Sequence, residues 1–177
     1  MSLPLRIKRW WRSKGFGIHS PFAFYFVTRV LREPLPYYAY PDIERIASGS
    51  GIPSRELKLL FRIVCHFSPA EITLPSGTPG EVAETLRLAD SRVKIVADAT
   101  DFQYYHDVCD DGGEEFRRRV RHVLDGDGVI VFRGAGTLKR ELTDSMRYGM
   151  TFTDGNILIA VSRRDLPRQD FEVEFLP

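Results

Sequence analysis

Apolar positions change their period several times along the chain, and each change marks an element. Ser20-Pro21 joins a capping side chain to a residue suited to a first helical turn. Phe22, Tyr25, Phe26, Arg29 and Val30 follow at helical spacing, which predicts a helix stopping near Glu33, ahead of Pro34. From Pro34 to Pro41 the prolines hold the preceding residues out of the α region, so this stretch is an extended tyrosine-rich connector. A short helix from Asp42 to Ala47 comes next, then a linker, Ser48-Gly49-Ser50-Gly51-Ile52-Pro53. The boundary falls there, between an N-terminal helical extension of residues 1–53 and a domain of residues 54–177.

Within that domain, strand and helix periods alternate. Ser54 is placed to cap a helix whose Leu57, Leu60, Phe61, Val64 and Cys65 form one apolar stripe. Glu71 to Leu74 is a short strand, Pro75 to Gly80 a turn, and Glu81 to Ala89 a helix. Val93 to Ala97 is a second strand, closed by Asp98. Glu114 to Leu124 is a basic amphipathic helix, and Gly128 to Phe132 an unbroken apolar strand of the kind buried on both faces of a parallel sheet. Thr137 to Arg147 is a helix, Asn156 to Val161 another buried strand, and Phe171 to Phe175 alternates like an edge strand. The alternation predicts an open α/β sheet.

Composition narrows the class. With 43% hydrophobic and 12% aromatic residues and a net charge of +1, the chain has the makings of a packed core and lacks the signature of disorder. Cys65 and Cys109 stand far apart in apolar runs, which predicts free thiols and a reducing, cytoplasmic compartment. No apolar run approaches the roughly 20 residues of a membrane span. Charge is unevenly spread: residues 1–32 carry Arg6, Lys8, Arg9, Arg12, Lys14, Arg29 and Arg32 and no acid, a head of +7 on a body of −6. Arg6, Lys8, Arg9 and Arg12, interleaved with Trp10-Trp11, suit a polyanion.

Three groupings are candidates for chemistry. Strand, Gly-containing turn, helix and a second strand ending in an acid can cradle a nucleotide-like ligand, with Ser76, Gly77 and Gly80 against it and Asp98 on ribose hydroxyls. The same residues also fit an ordinary βα turn, and Glu81 and Glu84 repel phosphate. Asp107, Asp110, Asp111, Glu114 and Glu115 gather acids, but without the alternation of a calcium loop, so a helix N-terminus and solvated turn explain them and no metal set is assigned. His106 beside Asp107 has the form of a base with an orienting acid, but no nucleophile is placed, so no catalytic residue is assigned.

Gly15-Phe16-Gly17-Ile18-His19-Ser20-Pro21-Phe22, the Tyr38 to Glu44 segment and Leu59-Leu60-Phe61-Arg62-Ile63-Val64 ahead of a strand and glycine turn resemble a bacterial family of class I S-adenosylmethionine-dependent methyltransferase-like proteins. The ending, Arg163 to Arg168 and then Gln169 to Phe175, is similar too, so the resemblance covers nearly the whole chain. It implies a Rossmann-like, mostly parallel sheet flanked by helices, with S-adenosylmethionine over Ser76, Gly77 and Gly80, its ribose on Asp98, and the methyl acceptor near Asp110 and Asp111. Several positions depart from the pattern. Leu74 stands for the acid that ends the first strand, Ser76 for the first glycine, and Arg133-Gly134 for the acids after the fifth strand.

The largest departure is a deletion. Between Asp98 and Tyr104 the resemblance implies a helix, a third strand, an adenine-contacting loop and a further helix, where this chain has only Ala99-Thr100-Asp101-Phe102-Gln103. Five residues reach about 18 Å at most, while a parallel crossover usually takes a dozen or more. Either Tyr104 to Cys109 is not a parallel strand or the sheet is rearranged locally. The expectation is a shortened methyltransferase-like protein with weak or no catalytic activity, a pseudoenzyme. The alternative is a non-catalytic scaffold presenting its basic head and Tyr37, Tyr38 and Tyr40 to a protein, a polyanion or a second copy of itself.

Overall fold

In a computed structural model describing residues 15–107, 113–134 and 137–175, and of residues 137 and 138 the backbone alone, contacts group the chain into two compact units. One is helical and takes residues 15–69, 79–93 and 173–175; the other holds the sheet and takes residues 70–78 and 94–172.

The helical unit begins where the Ser20 hydroxyl accepts the Ala23 amide at 3.3 Å and starts α1 (Pro21–Phe26). The helix widens into a π turn over Val27–Leu31 and ends there, short of Glu33. Helix α2 (Tyr40–Ser48) takes Pro41 into its first turn, so it starts earlier than the sequence pattern predicts. Helix α3 (Ser54–Phe67) has Pro53 at its cap position; Ser54, expected as the cap, is its first residue and makes no capping bond. Helix α4 spans Gly80–Ala89. Phe26, Leu31, Ile43, Leu57, Phe61 and Leu86 are fully buried. Tyr37 and Tyr40 pack against Phe61 with ring centroids 5.5 and 6.3 Å away, whereas Tyr38 is exposed.

Arg62 ties this unit together from inside. Its Nε donates to the Val30 carbonyl at 2.7 Å, Nη2 to the Leu31 carbonyl at 3.2 Å, and Nη1 to the Tyr40 hydroxyl at 2.9 Å. The last carbonyls of a helix have no partner within it. A guanidinium satisfies two of them here and brings positive charge to the negative end of the helix dipole. Cys65 is a half-buried free thiol 3.9 Å from the Ala89 carbonyl, and burial pushes its pKa up. Cys109 lies outside the described residues.

The sheet unit contains β1 (Glu71–Thr73), β2 (Lys94–Val96), β3 (Phe102–Tyr105), α5 (Glu114–Asp125), β4 (Val129–Arg133), α6 (Thr137–Asp144), β5 (Met150–Thr153), β6 (Ile157–Val161) and β7 (Gln169–Glu172). The seven strands run β2-β1-β3-β4-β6-β5-β7. Pairings β1/β2, β1/β3, β3/β4 and β5/β7 are parallel, while β6 is antiparallel to both neighbours. The fold is mixed α/β with a mostly parallel sheet, as expected. From one sheet face Tyr105, Ile130, Phe132 and Ala160 meet Val120, Val123 and Leu124 of α5 and Leu142 of α6.

Three expectations need correction. Strand β5 was not anticipated; its four residues pair antiparallel with β6 across the turn of residues 154–156, where Gly155 has φ +101°. Helix α6 stops at Asp144, short of Arg147. Strand β7 is an edge strand but ends at Glu172, so Val173 to Phe175 lie beyond it. The open question about the crossover is settled in favour of a local rearrangement. Ile95 of β2 and Phe102 of β3 flank Ile72 of β1 in register, so the chain crosses only two strand spacings, about 10 Å. Strand β2 thereby becomes a sheet edge. Among the described residues, no helix is long and apolar enough to cross a membrane.

Candidate functional site

Because β1 to β4 are mutually parallel, their carboxyl ends, Thr73, Val96, Tyr105 and Arg133, lie along one side of the sheet. Ligands of open α/β sheets bind there, where successive connections diverge to opposite sides. In this sheet that point is between β1 and β3, since β2 lies beyond β1 and β4 beyond β3.

The expected cofactor residues fare differently. Pro75 to Thr78 form a tight turn, with the Thr78 amide and hydroxyl both donating to the Pro75 carbonyl, at 3.1 and 2.8 Å. Gly77 has φ +90°, as required at the third residue of a type II turn, so the turn itself accounts for the glycine. Ser76 is exposed beside it. Gly80 begins α4, in the helical unit, and a Cβ there would meet only open space, so no steric demand calls for glycine. Asp98 is exposed just after β2, and among the described residues no hydrogen bond joins it to Ser76 or Gly77. Asp110 and Asp111, expected near the acceptor, lie outside the described residues, as do Arg6, Lys8, Arg9 and Arg12.

What does occupy the switch point is the chain itself. Residues 97–101 pass from β2 to β3, and their middle residue, Ala99, is buried. Its amide donates to the Thr73 hydroxyl at the carboxyl end of β1, at 2.6 Å. Its carbonyl accepts from Gln103 Nε2 at 2.8 Å, and Gln103 Oε1 accepts the Tyr105 hydroxyl at 2.7 Å. Thr73, Gln103 and Tyr105 are all buried. Each buried polar atom of this relay therefore has a partner, which is what a stable dry network needs.

Burial pushes the Tyr105 phenol up to about 12, with Asp98 adding to the rise and Arg119 opposing it. The group is neutral in the folded chain over a wider range than in the unfolded one. Its contribution to stability is complete below about pH 10, the ordinary tyrosine value, and is lost as pH rises through about 12. Ultraviolet titration of the phenolate band is expected to show one late tyrosine near pH 12 that Tyr105→Phe removes. A wild-type profile in which every tyrosine ionises together near pH 10 would contradict the buried relay.

Beside it, at the ends of β3 and β4, stands a network the sequence only half disclosed. Arg133 Nη1 donates to Asp107 Oδ1 at 2.6 Å and lies 3.3 Å from His106 Nε2. His106 Nδ1 is 2.9 Å from the Tyr104 hydroxyl, and Asp107 Oδ2 is 3.3 Å from His106 Nε2. Lys139, buried on α6, donates to the Arg133 carbonyl at 3.0 Å. Asp107 has φ +49°; Gly134 opposite it has φ +88°, the conformation that favours glycine, and a Cβ there would stand 3.1 Å from Asp107 Oδ1. The adjacency of His106 and Asp107 was visible in sequence; Arg133 and Lys139 were not, because they arrive from other elements. The arrangement sets the Asp107 carboxylate against the Arg133 guanidinium and gives each ring nitrogen of His106 a polar neighbour.

Glu114 and Glu115 stand in the first turn of α5. Hydrogen bonds from Arg118 and Arg119 hold the Glu115 carboxyl below the usual carboxylate range. Among the described residues, no group of three or more His, Cys, Asp or Glu converges as metal ligands would.

No family model matches the chain, and no curated protein matches it. Among solved structures it is similar to a methyltransferase from Geobacter sulfurreducens, with 14% identity over 73% of this chain and 92% of that one and a TM-score of 0.46.

Proposed function

We propose that this chain is a methyltransferase-like protein without methyltransferase chemistry, a non-catalytic binding module built on a shortened α/β sheet. One observation carries the reading: Ala99, the buried middle residue of the β2–β3 crossover, is hydrogen-bonded to Thr73 at the carboxyl end of β1, the position a bound nucleotide-like cofactor would need. S-adenosylmethionine asks for a backbone cradle after β1, an acid for its ribose and an open crevice between them. Asp98 is available, but the next residue, Ala99, fills the crevice with hydrogen-bonded backbone. The residues present do not fit the cofactor, and no step of catalysis through it is derived.

The test is calorimetric titration of the full chain with S-adenosylmethionine and with S-adenosylhomocysteine. No heat is expected up to millimolar ligand from protein that circular dichroism shows to be folded. Micromolar binding of either would overturn the reading, and its loss in Asp98→Ala would locate that binding at the end of β2.

A further inference from the structure

The short crossover leaves β2 at the rim of the sheet, and among the described residues no strand pairs with its outer side. The Lys94 amide donates to the Ala70 carbonyl at 3.1 Å, so in the parallel ladder Lys94 and Val96 bond toward β1. Successive residues of a strand aim their backbone groups to opposite sides, so the amide and carbonyl of Ile95 point outward, and the same alternation carries on to Ala97. Ile95 is 37% exposed, and Lys94, Ala97 and Asp98 are exposed with it. Lys94, Val96 and Asp98 share one face of the strand. Among the described residues neither the Lys94 nor the Asp98 side chain is in a hydrogen bond or ion pair, and Glu71, beside Lys94 in register on β1, is not bonded to it. Directly beyond, the bond from the Ala99 amide to Thr73 holds the chain in place. A free edge is a template for another strand, and a lysine on it ordinarily discourages pairing. Here an acid follows on the same face, so the edge carries both members of an ion pair.

We propose that β2 docks on β2 of a second copy of this chain, antiparallel, about a two-fold axis at Val96. That register sets Ile95 of each copy opposite Ala97 of the other, the positions whose backbone groups face outward, so the two exchange N–H to carbonyl bonds in both directions. It also sets Lys94 of each copy opposite Asp98 of the other, at positions outside the new hydrogen bonds, where facing side chains stand closest. Val96, half-buried in one copy, meets its counterpart at the axis. A two-fold contact of this kind uses one surface twice and closes on itself. Charge selects this rim over the other one. The same operation on β7 about Phe171 would set Asp170 against Glu172, acid against acid. The edge is short beside the roughly 1,200 Å² that a standard interface buries, so a weak dimer is expected, forming in the upper micromolar range. The inference rests on this edge and not on whether the crevice admits a cofactor.

The experiment is sedimentation equilibrium of the full chain from micromolar to near-millimolar concentration, at low and at high salt. A monomer in equilibrium with a dimer is expected, weakening as salt is raised. Lys94→Glu should weaken it about tenfold, because repulsion replaces attraction twice in each dimer, and Asp98→Lys should do the same. Combining Lys94→Asp with Asp98→Lys exchanges the charges and should restore the dimer, as only direct pairing of these two positions would. Ile95→Pro removes an outward amide that the β1 ladder does not use, and should also weaken the dimer. These positions lie on an exposed edge, so the folded state should survive, as circular dichroism would check. If Ile95→Pro does not fold, the charge variants decide. The proposal is overturned by a monomer at every concentration, by a dimer indifferent to the charge variants, or by failure of the exchanged pair to restore it. A series of larger species would also overturn it, since head-to-tail pairing of β2 on β7 does not close.

Discussion

Replacing Arg62 by methionine is expected to destabilise the chain by about 3 kcal/mol, a shift of roughly 1–3 M in the urea midpoint. Arg62 is 4% exposed and satisfies three groups, the Val30 and Leu31 carbonyls and the Tyr40 hydroxyl. Methionine fills a similar volume and relieves the cost of burying a charge, which works against the prediction. It also leaves two carbonyls at the end of the π turn without donors, at about 1–3 kcal/mol for each unsatisfied group. Lysine should rescue little, because one ammonium cannot reproduce the planar fork that reaches Val30, Leu31 and Tyr40 at once. A methionine variant within about 1 kcal/mol of wild type would mean that these carbonyls find other partners and that Arg62 is not the tie.

Gln103→Leu is the second large expected loss, about 2–4 kcal/mol. The side chain is fully buried, and its amide holds both the Ala99 carbonyl and the Tyr105 hydroxyl. Leucine keeps the bulk and removes both bonds, so a carbonyl and a phenol are stranded away from water. For a chain of this size, a thermal midpoint lower by roughly 5–15 °C should follow. Adding Tyr105→Phe should recover part of the loss, because one stranded group disappears with its partner. A double variant no better than Gln103→Leu would show that the Tyr105–Gln103 bond contributes little.

The regular parts of this architecture were legible because they obey a period. Ser20-Pro21 announced α1, the stripe on Leu57, Leu60, Phe61 and Val64 announced α3, and the unbroken run from Val129 to Phe132 announced a central strand. Strand β5 escaped because Met150-Thr151-Phe152-Thr153 is brief and its neighbours in the sheet, β6 and β7, come later in the chain. The shortened crossover was legible as a problem of length, five residues for a parallel connection. Its solution was not, because it depends on strands of three and four residues in equal register around Ile72. The candidate site was less legible than the fold. The turn at Gly77 and the acid at Asp98 are local features and were found, whereas Thr73 and Arg133 act on partners remote in sequence, and Gln103 bonds to near neighbours that the bend of the crossover brings to it. Polar residues inside apolar strands, such as Gln103 in Phe102-Gln103-Tyr104-Tyr105, were the available signal that a buried network stood there.

The segment over the end of β1 can also be viewed as a competitor permanently attached to its own site. Two buried hydrogen bonds, from the Ala99 amide to Thr73 and from Gln103 to the Ala99 carbonyl, hold it in place. At about 1 kcal/mol each they would leave the crevice open in roughly one molecule in thirty. A ligand that needs the open form then binds with its intrinsic dissociation constant divided by that fraction. A residual pocket of micromolar intrinsic strength would look about thirtyfold weaker in solution. On the proposed reading, the length of the connection between two parallel strands is enough by itself to weaken binding in the crevice, whatever residues stand beside it.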